Sequence, residues 1–358
     1  MSTAATASTA AARARGRLGE GRKLPRWFPY AALVGSVVVG LGIARALGGG
    51  LVATVALALL VYVAGSTAIS VAVEGSRKAT DRLATTAVTA AFGIAMIPLV
   101  SLLVTVVSRG AARFDGAFFN ESMRGVVGEG GGAYHAIMGT VIITLLATVI
   151  SVPIGLFTSV YLVEYGTGRL AKWITFLVDV MTGIPSIVAG LFAFALFALL
   201  TGDPGYRSGL AGAVALSVLM IPVVVRSTQE MLLLVPNELR EAAYALGVPK
   251  WATIAKVVVP TALAGIVTGV TLAIARVIGE TAPPLITAGF ASSTNTDPLA
   301  NRMSTLPVYI YYQFTQPGVP PQTGIDRAWT AALVLILIVM ALNLIARIIS
   351  KIFSPKKA

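Results

Sequence analysis

The stretch EAAYALGVPKWATIAKVVVP, Glu241 to Pro260, is a polar, small-residue island in a chain that is otherwise strongly apolar. Asn237 is placed to cap a helix beginning at Glu238, because its side chain can accept from an amide left unpaired in the first turn. Gly247 suits the left-handed position that ends such a helix. Pro249 fits the first turn of a second one. The island therefore reads as a short helix, a turn, and a helix that continues into the apolar run beyond. Leu239, Ala242, Ala243 and Leu246 share one face of the first helix at i, i+3, i+4, i+7 spacing. Small side chains on that face permit close approach by another body. An amphipathic helix lying on a membrane surface is the competing reading.

The surroundings show what the island interrupts. Of the 358 residues, 56% are hydrophobic and only 12% are charged, with mean hydropathy +0.84. Soluble domains carry about 25% charged residues. Apolar runs of about 18 residues or more, long enough to cross a bilayer, recur along the chain. Alternating ten-residue blocks, the mark of a membrane barrel, do not appear. The fold class expected is an all-α polytopic membrane protein. Eight spans are read, near 28–47, 51–73, 84–108, 136–162, 173–200, 209–232, 258–288 and 328–350. The first two form a hairpin about Gly48-Gly49-Gly50, and the charged linker EGSRKATDRL (74–83) separates them from a six-span core, 84–353. Residues 1–27 are rich in Ala, Thr and Arg without an apolar centre; they read as a disordered basic cytoplasmic tail, not a cleavable signal.

The net charge of +12 is explained by basic residues retained on one side of the membrane, not by nucleic acid. With the N-terminus inside, most of the 27 Lys and Arg fall in the inner loops and tails, which predicts cytoplasmic N- and C-termini. There are no cysteines and one histidine, His135, so thiolate metal sites are excluded and no metal cluster is expected. No nucleophile stands with a base, and no Gly-Lys pair exists to build a phosphate-binding loop. No catalytic residue is expected, and ATP chemistry would have to come from another chain.

Charges inside a bilayer are costly and call for a reason. Arg276 and Glu280 stand one helical turn apart in AIARVIGETAPP. Arg276 lies about 27 Å along from Val258, in the outer half of the membrane. Its planar fork of donors suits phosphate oxygens. The expectation is that Arg276 attracts an anion while Glu280 holds it when the anion is absent; a purely structural pair is the alternative. Asp179 and Arg226 lie at equal depth, about 9 Å in from the cytoplasmic side, and are expected to form a structural buried pair. Gly183-Ile184-Pro185-Ser186 should kink the fifth span, with Ser186 bonding freed carbonyls or meeting substrate. Gly139, Gly155 and Gly190 are read as close-packing positions, His135 as an interfacial residue without special role, and STLPVYIYYQF (304–314) as an interfacial anchor or a surface for an external protein.

Glu-Ala-Ala, three residues, Gly, nine residues, two aliphatics flanking one residue, then Pro resembles the EAA loop of ABC-importer permeases. Glu241, Ala242, Ala243, Gly247, Val257, Val259 and Pro260 occupy its positions, the two valines standing where Ile and Leu are usual. The runs GGGAYHAIMGTVIITLLATVISVPIGLFTSVYLVEY, TGIPSIVAGLF, REAAYALGVPKW, ARVIGETAPPL and STLPVYIYYQF are similar to the PstA family of phosphate-importer permeases. The resemblance covers roughly 84–353. It implies a six-span permease core plus an additional N-terminal transmembrane hairpin, in a bacterial plasma (inner) membrane. It implies a coupling helix around 237–251 docked on a cytoplasmic ATPase, and alternating access for inorganic phosphate. It implies a PstC-like partner permease, two PstB-like ATPase subunits using ATP and Mg, and a PstS-like external binding protein; this chain would bind no cofactor. Alternatives are another oxyanion (phosphonate, sulfate or molybdate), a sensor without transport, or a lone ion-coupled transporter, for which internal repeats would be expected and none is visible.

Overall fold

The computed structural model describes residues 24–25 and 27–353, so nearly all of the expected N-terminal tail lies outside the described residues. The described residues contain helices and no strand. Contacts divide the chain into two compact units, Met1–Leu102 and Leu103–Ala358. Among the described residues seven helices are long and apolar enough to cross a membrane, or eight crossings if one sharply bent pair counts as a single span.

In the first unit α1 (Phe28–Ala46) and α2 (Leu51–Glu74) pair as the expected hairpin. Their seam is made of small residues: Ser36, Gly40, Ala44 and Ala58 are buried, and a Cβ on Gly40 would stand 2.6 Å from the Ala58 amide. Small residues allow such backbone approach where lipid supplies no hydrophobic drive between helices. The EGSRKATDRL segment is helical from Ser76, continuous with α3 (Ser76–Gly110). Glu74 closes α2 by accepting from the Leu24 amide (2.8 Å), the Ser70 hydroxyl (3.0 Å) and Arg82 (2.7 Å).

The second unit is built round one central helix. After the short α4 (Gly116–Asn120) come α5 (Tyr134–Val160), a π-helical turn over Tyr161–Tyr165, α6 (Gly168–Thr182), α7 (Ser186–Thr201) and α8 (Gly209–Leu233). Ser208 caps α8, accepting from the Ala211 amide at 3.2 Å, and α8 packs against α5, α6 and α7. Val224, Met220, Ala213 and Leu216 on α8 form a buried core with Ile143 and Ala147 of α5. Gly155 allows this: a Cβ there would meet Val224 Cγ1 at 2.6 Å. Ser159 donates to Gly155 O and Val225 O, at 2.7 and 2.9 Å, across the same seam. The close-packing reading of Gly139, Gly155 and Gly190 holds, since each abuts another segment.

The fifth span departs from the expectation of one kinked crossing. α6 and α7 meet at 109°. Pro185 caps α7, its carbonyl accepting from the Val188 and Ala189 amides, and Gly190 lies against Pro283 Cα at 2.9 Å. At 15 and 16 residues each half is about 23 Å long, short of a hydrocarbon core of about 30 Å. The seventh span also ends earlier than 288. α9 (Asn237–Ala245), α10 (Lys250–Thr253), a π turn over Ile254–Val258 and α11 (Val259–Val277) follow α8. The chain then breaks and α12 (Ala282–Thr287) restarts, because Pro283 and Pro284 have no N–H to continue a helix through 279–281. α13 (Leu306–Thr315) and α14 (Pro321–Phe353) complete the unit. One face of α13 packs inward: Leu306, Val308 and Tyr309 are buried and the Leu306 amide donates to Thr140 Oγ1 at 2.7 Å, while Tyr311 and Phe314 on the same helix are exposed. His135, expected at the interface, is buried edge-on to the Tyr309 ring at 5.4 Å.

Candidate functional site

The island at Glu241 folds as a helix, a left-handed turn and a second helix. Gly247 has φ +75°. The Val248 amide donates to Ala243 O (3.1 Å) and the Gly247 amide to Tyr244 O (2.9 Å), the paired bonds of a glycine-terminated helix. Asn237 is the first helical residue, with Pro236 at the cap. Its side-chain oxygen accepts from Arg240 Nη1 at 3.3 Å and so is taken up by a guanidinium instead of a backbone amide. On the shared face only Ala243 is buried; Leu239 and Leu246 are 41% and 83% exposed, and Glu241 and Ala242 are exposed. The described residues leave this apolar stripe largely uncovered.

The other side of α9 is fastened by residues the sequence reading did not single out. Arg240 gives two bonds to Glu164 Oε1 (3.1 and 2.8 Å), one to Val235 O (2.7 Å) and one to Leu232 O (3.0 Å). It thereby ties α9 both to the π turn ending α5 and to the open carbonyls ending α8. Glu164 and Arg240 side chains are only 6% and 12% exposed. The Lys250 ammonium donates to Glu164 O and lies 4.7 Å from the Tyr165 ring centroid. One available signal was that Glu164 closes an apolar run at the same membrane edge as Arg240.

From Lys250 to Val277 the helix runs 28 residues without a break, about 42 Å. Pro260 offers no N–H to the carbonyl of Lys256, and the π turn falls over that position, as expected where the α pattern loses a donor. Arg276 stands at the far end of this rod. Thr268, Leu272 and Arg276, four residues apart, form one exposed stripe. Glu280 is three residues past the end of α11, its amide bonded to Val277 O at 3.1 Å. Among the described residues no ion pair joins Arg276 to Glu280, so the expected resting pair is absent. The helix stops before Glu280 can take its place on the Arg276 face. Ser186 is the first residue of α7 and half-buried; its hydroxyl makes no hydrogen bond among the described residues, so the freed-carbonyl role is not filled. Arg226 and Asp179 do pair, and Arg226 also donates to Gln229 Oε1 at 3.3 Å. Their side chains are 41% and 56% exposed, so the described residues do not bury the pair that links α6 to α8. No group of His, Cys, Asp and Glu able to hold a metal is found among the described residues.

These features define a class: a helical, multi-pass membrane protein with a helix, a left-handed turn and a second helix at one end of a rod and, at the other, an arginine that forms no ion pair among the described residues. Residues 151–358 match the model of the family described as binding-protein-dependent transport system inner membrane component. The chain is 49% identical over 276 residues to "Phosphate transport system permease protein PstA 1" of Mycobacterium tuberculosis (strain CDC 1551 / Oshkosh), covering 76% of this chain and 89% of that one. It is 42% identical over 258 residues to "Phosphate transport system permease protein PstA" of Pasteurella multocida (strain Pm70), covering 72% and 88%. A solved chain of the MetNI methionine ABC transporter, inward facing, aligns at TM-score 0.49 and 21% identity over 63% of this chain and 95% of that one. The chain belongs to the binding-protein-dependent transport system inner membrane component family.

Proposed function

We propose that this chain is the permease subunit of an ATP-driven importer for inorganic phosphate, lying in the bacterial inner membrane with both termini cytoplasmic. The observation that carries this reading is the rod from Lys250 to Val277. One end adjoins α9, whose Leu239 and Leu246 are exposed and suited to an ATPase groove; the other carries Arg276, which has no carboxylate partner among the described residues. A push received at α9 is thus delivered about 40 Å away at a guanidinium suited to phosphate oxygens. The exposed Thr268–Leu272–Arg276 stripe fits a pathway shared with a second, PstC-like permease. Two PstB-like subunits would hydrolyse ATP with Mg, and a PstS-like protein would deliver phosphate; this chain would bind no cofactor and catalyse no reaction. Residues 28–83 serve as an added hairpin and linker on a permease core at 84–353. The relatives named for phosphate transport support the choice of anion.

The test is labelled phosphate uptake in vesicles holding the full transporter, with ATP inside and sulfate or phosphonate as competitors. Arg276→Ala should lower uptake at least about tenfold, the scale of one lost charge-assisted contact, while protein abundance stays unchanged, because Arg276 forms no ion pair among the described residues. Unchanged uptake in Arg276→Ala would remove that residue from the pathway. Uptake abolished by sulfate would shift the reading to another oxyanion.

A further inference from the structure

At the end of the bundle opposite α9, three segments converge. Arg207 immediately precedes the Ser208 cap, and α8 then runs about 37 Å to the end that carries α9. The loop 289–305 returns to the same place. The Ser208 amide donates to Thr287 O (3.1 Å), the Leu210 amide to Pro298 O (2.7 Å) and the Tyr206 hydroxyl to Leu299 O (2.6 Å). The loop is fixed internally as well. The Asn295 side-chain amide donates to Ala300 O (2.7 Å) and Arg302 O (3.2 Å), and Ser304 Oγ bridges both backbone groups of Ala291. Asn301 is held at φ +62° beside Arg302. The walls enclose an open basin of about 780 Å³ whose polar lining includes Arg207, Arg302, Asp203, Ser293, Thr294 and Asn301.

Both arginine stems lie on Gly289, which has φ +73°; a Cβ there would meet Arg207 Cδ at 2.9 Å and Arg302 Cδ at 3.3 Å. Arg207 is aimed by its Nε bond to Ile286 O (3.0 Å) and by lying 5.6 Å from the Phe194 ring centroid; its terminal nitrogens make no hydrogen bond among the described residues. The Arg302 side chain is exposed and makes no hydrogen bond among the described residues. Neither arginine has a carboxylate partner among the described residues. Asp203, on the same wall, accepts from the Gly205 amide at 2.8 Å. Two guanidinium groups whose stems rest on the same glycine repel when their heads come together, and a doubly charged oxyanion between them reverses that sign while matching their forks.

We propose that this basin is an oxyanion site that receives hydrogen phosphate at the outer mouth before it reaches Arg276. The proposal rests on the phosphate-import reading and on α9 facing the cytoplasm. α12 links the two stations: Arg207 holds its Ile286 carbonyl, and Glu280 and Arg276 precede its other end, about 9 Å of helix away.

Because the chain contains no cysteine, Ser293→Cys places its sole thiol in the basin. The rate at which an anionic methanethiosulfonate labels this chain is measured in the full transporter in nanodiscs, without any binding protein. At inorganic phosphate about twice the dissociation constant, occupancy should slow labelling about threefold, relative to chloride of equal ionic strength. Adding Arg207→Gln and Arg302→Gln should return that ratio to one. Arg302→Gln alone, at a side chain with no structural bond, should weaken protection and leave the fold intact. Equal slowing by chloride, protection unchanged in the Gln variants, or no protection by free phosphate would each overturn the basin site. ATP-driven uptake on the same preparation separates the two ideas. Phosphate uptake without phosphate protection sinks the basin alone; protection by phosphate without phosphate uptake sinks the import reading alone.

Discussion

Replacing Arg240 by Ala should be among the most damaging single changes where α9 is fastened to α5 and α8. The substitution strands Glu164, whose side chain is 6% exposed, and removes a charged donor from the carbonyls of Leu232 and Val235. Breaking a buried pair from one side costs about 3–5 kcal/mol, because the remaining charge loses its partner without regaining water. The lost carbonyl bonds fall within that range, since all go to one guanidinium and are not additive. Glu164→Gln should be milder, about 1–3 kcal/mol, as an amide oxygen still accepts. The double change Arg240→Met with Glu164→Leu should destabilise less than Arg240→Ala, since no charge is left unpaired. Denaturation of the purified chain in mixed micelles, run as a double-mutant cycle, measures this directly. A coupling energy above about 1 kcal/mol is expected for groups in direct contact. Strict additivity would refute the claim that Arg240 and Glu164 act as one fastening. The ATPase rate of the assembled transporter adds a second readout: Arg240→Ala at normal assembly should uncouple hydrolysis from phosphate uptake.

Three other outcomes follow from the geometry. Gly155→Ala should cost about 1–3 kcal/mol by overpacking, because the new methyl meets Val224 Cγ1 at 2.6 Å; micelle denaturation checks it, and a neutral result would mean α5 and α8 slide apart freely. Asp179→Asn should cost the solubilised chain under about 1 kcal/mol, as half-exposed pairs do, and a loss of several kcal/mol would show that the pair is covered after all. Asp115 accepts from the Phe118 amide at 2.9 Å, and this bond, with Arg113 beside it, holds its carboxyl below the ordinary range against the opposing effect of burial. A depressed folded-state value means its contribution to stability is present above the ordinary carboxylate range and is lost as pH falls through the folded value. Asp115→Asn should flatten that part of the acid-side profile.

Local chemistry made the joint legible in the sequence. Gly247 and Pro249 punctuate the chain whatever surrounds them: Gly247 takes the left-handed position expected of it, and Pro249 marks the start of the second helix, though as its cap and not in its first turn. The hairpin about Gly48-Gly49-Gly50 and most of the apolar spans were legible for the same reason, since length and hydropathy are local properties. What was missed depended on distant segments. A proline at 185 announces a kink, but 109° is set by α7 lying against Pro283 through Gly190. The apolar run continues past Glu280 and so puts it on the Arg276 face; the stop comes from prolines acting on the residues before them. Arg240 and Glu164 are 76 residues apart, and nothing in the island says which acid its arginine reaches. His135 looked interfacial because its neighbours are glycines, whereas the Tyr309 ring that covers it arrives from α13.

The π turn over Ile254–Val258 has a geometric consequence for everything beyond it. A π turn holds one residue more than an α turn spans, so relaxing it to α would advance the winding by one residue. Each residue is about 100° of rotation about the axis. Such a slip, made beside α9, would swing the Thr268–Leu272–Arg276 stripe about a quarter turn round the helix. Arg276 would thereby change the side to which it presents its charge with little translation of the helix, as a key turns its bit inside a lock.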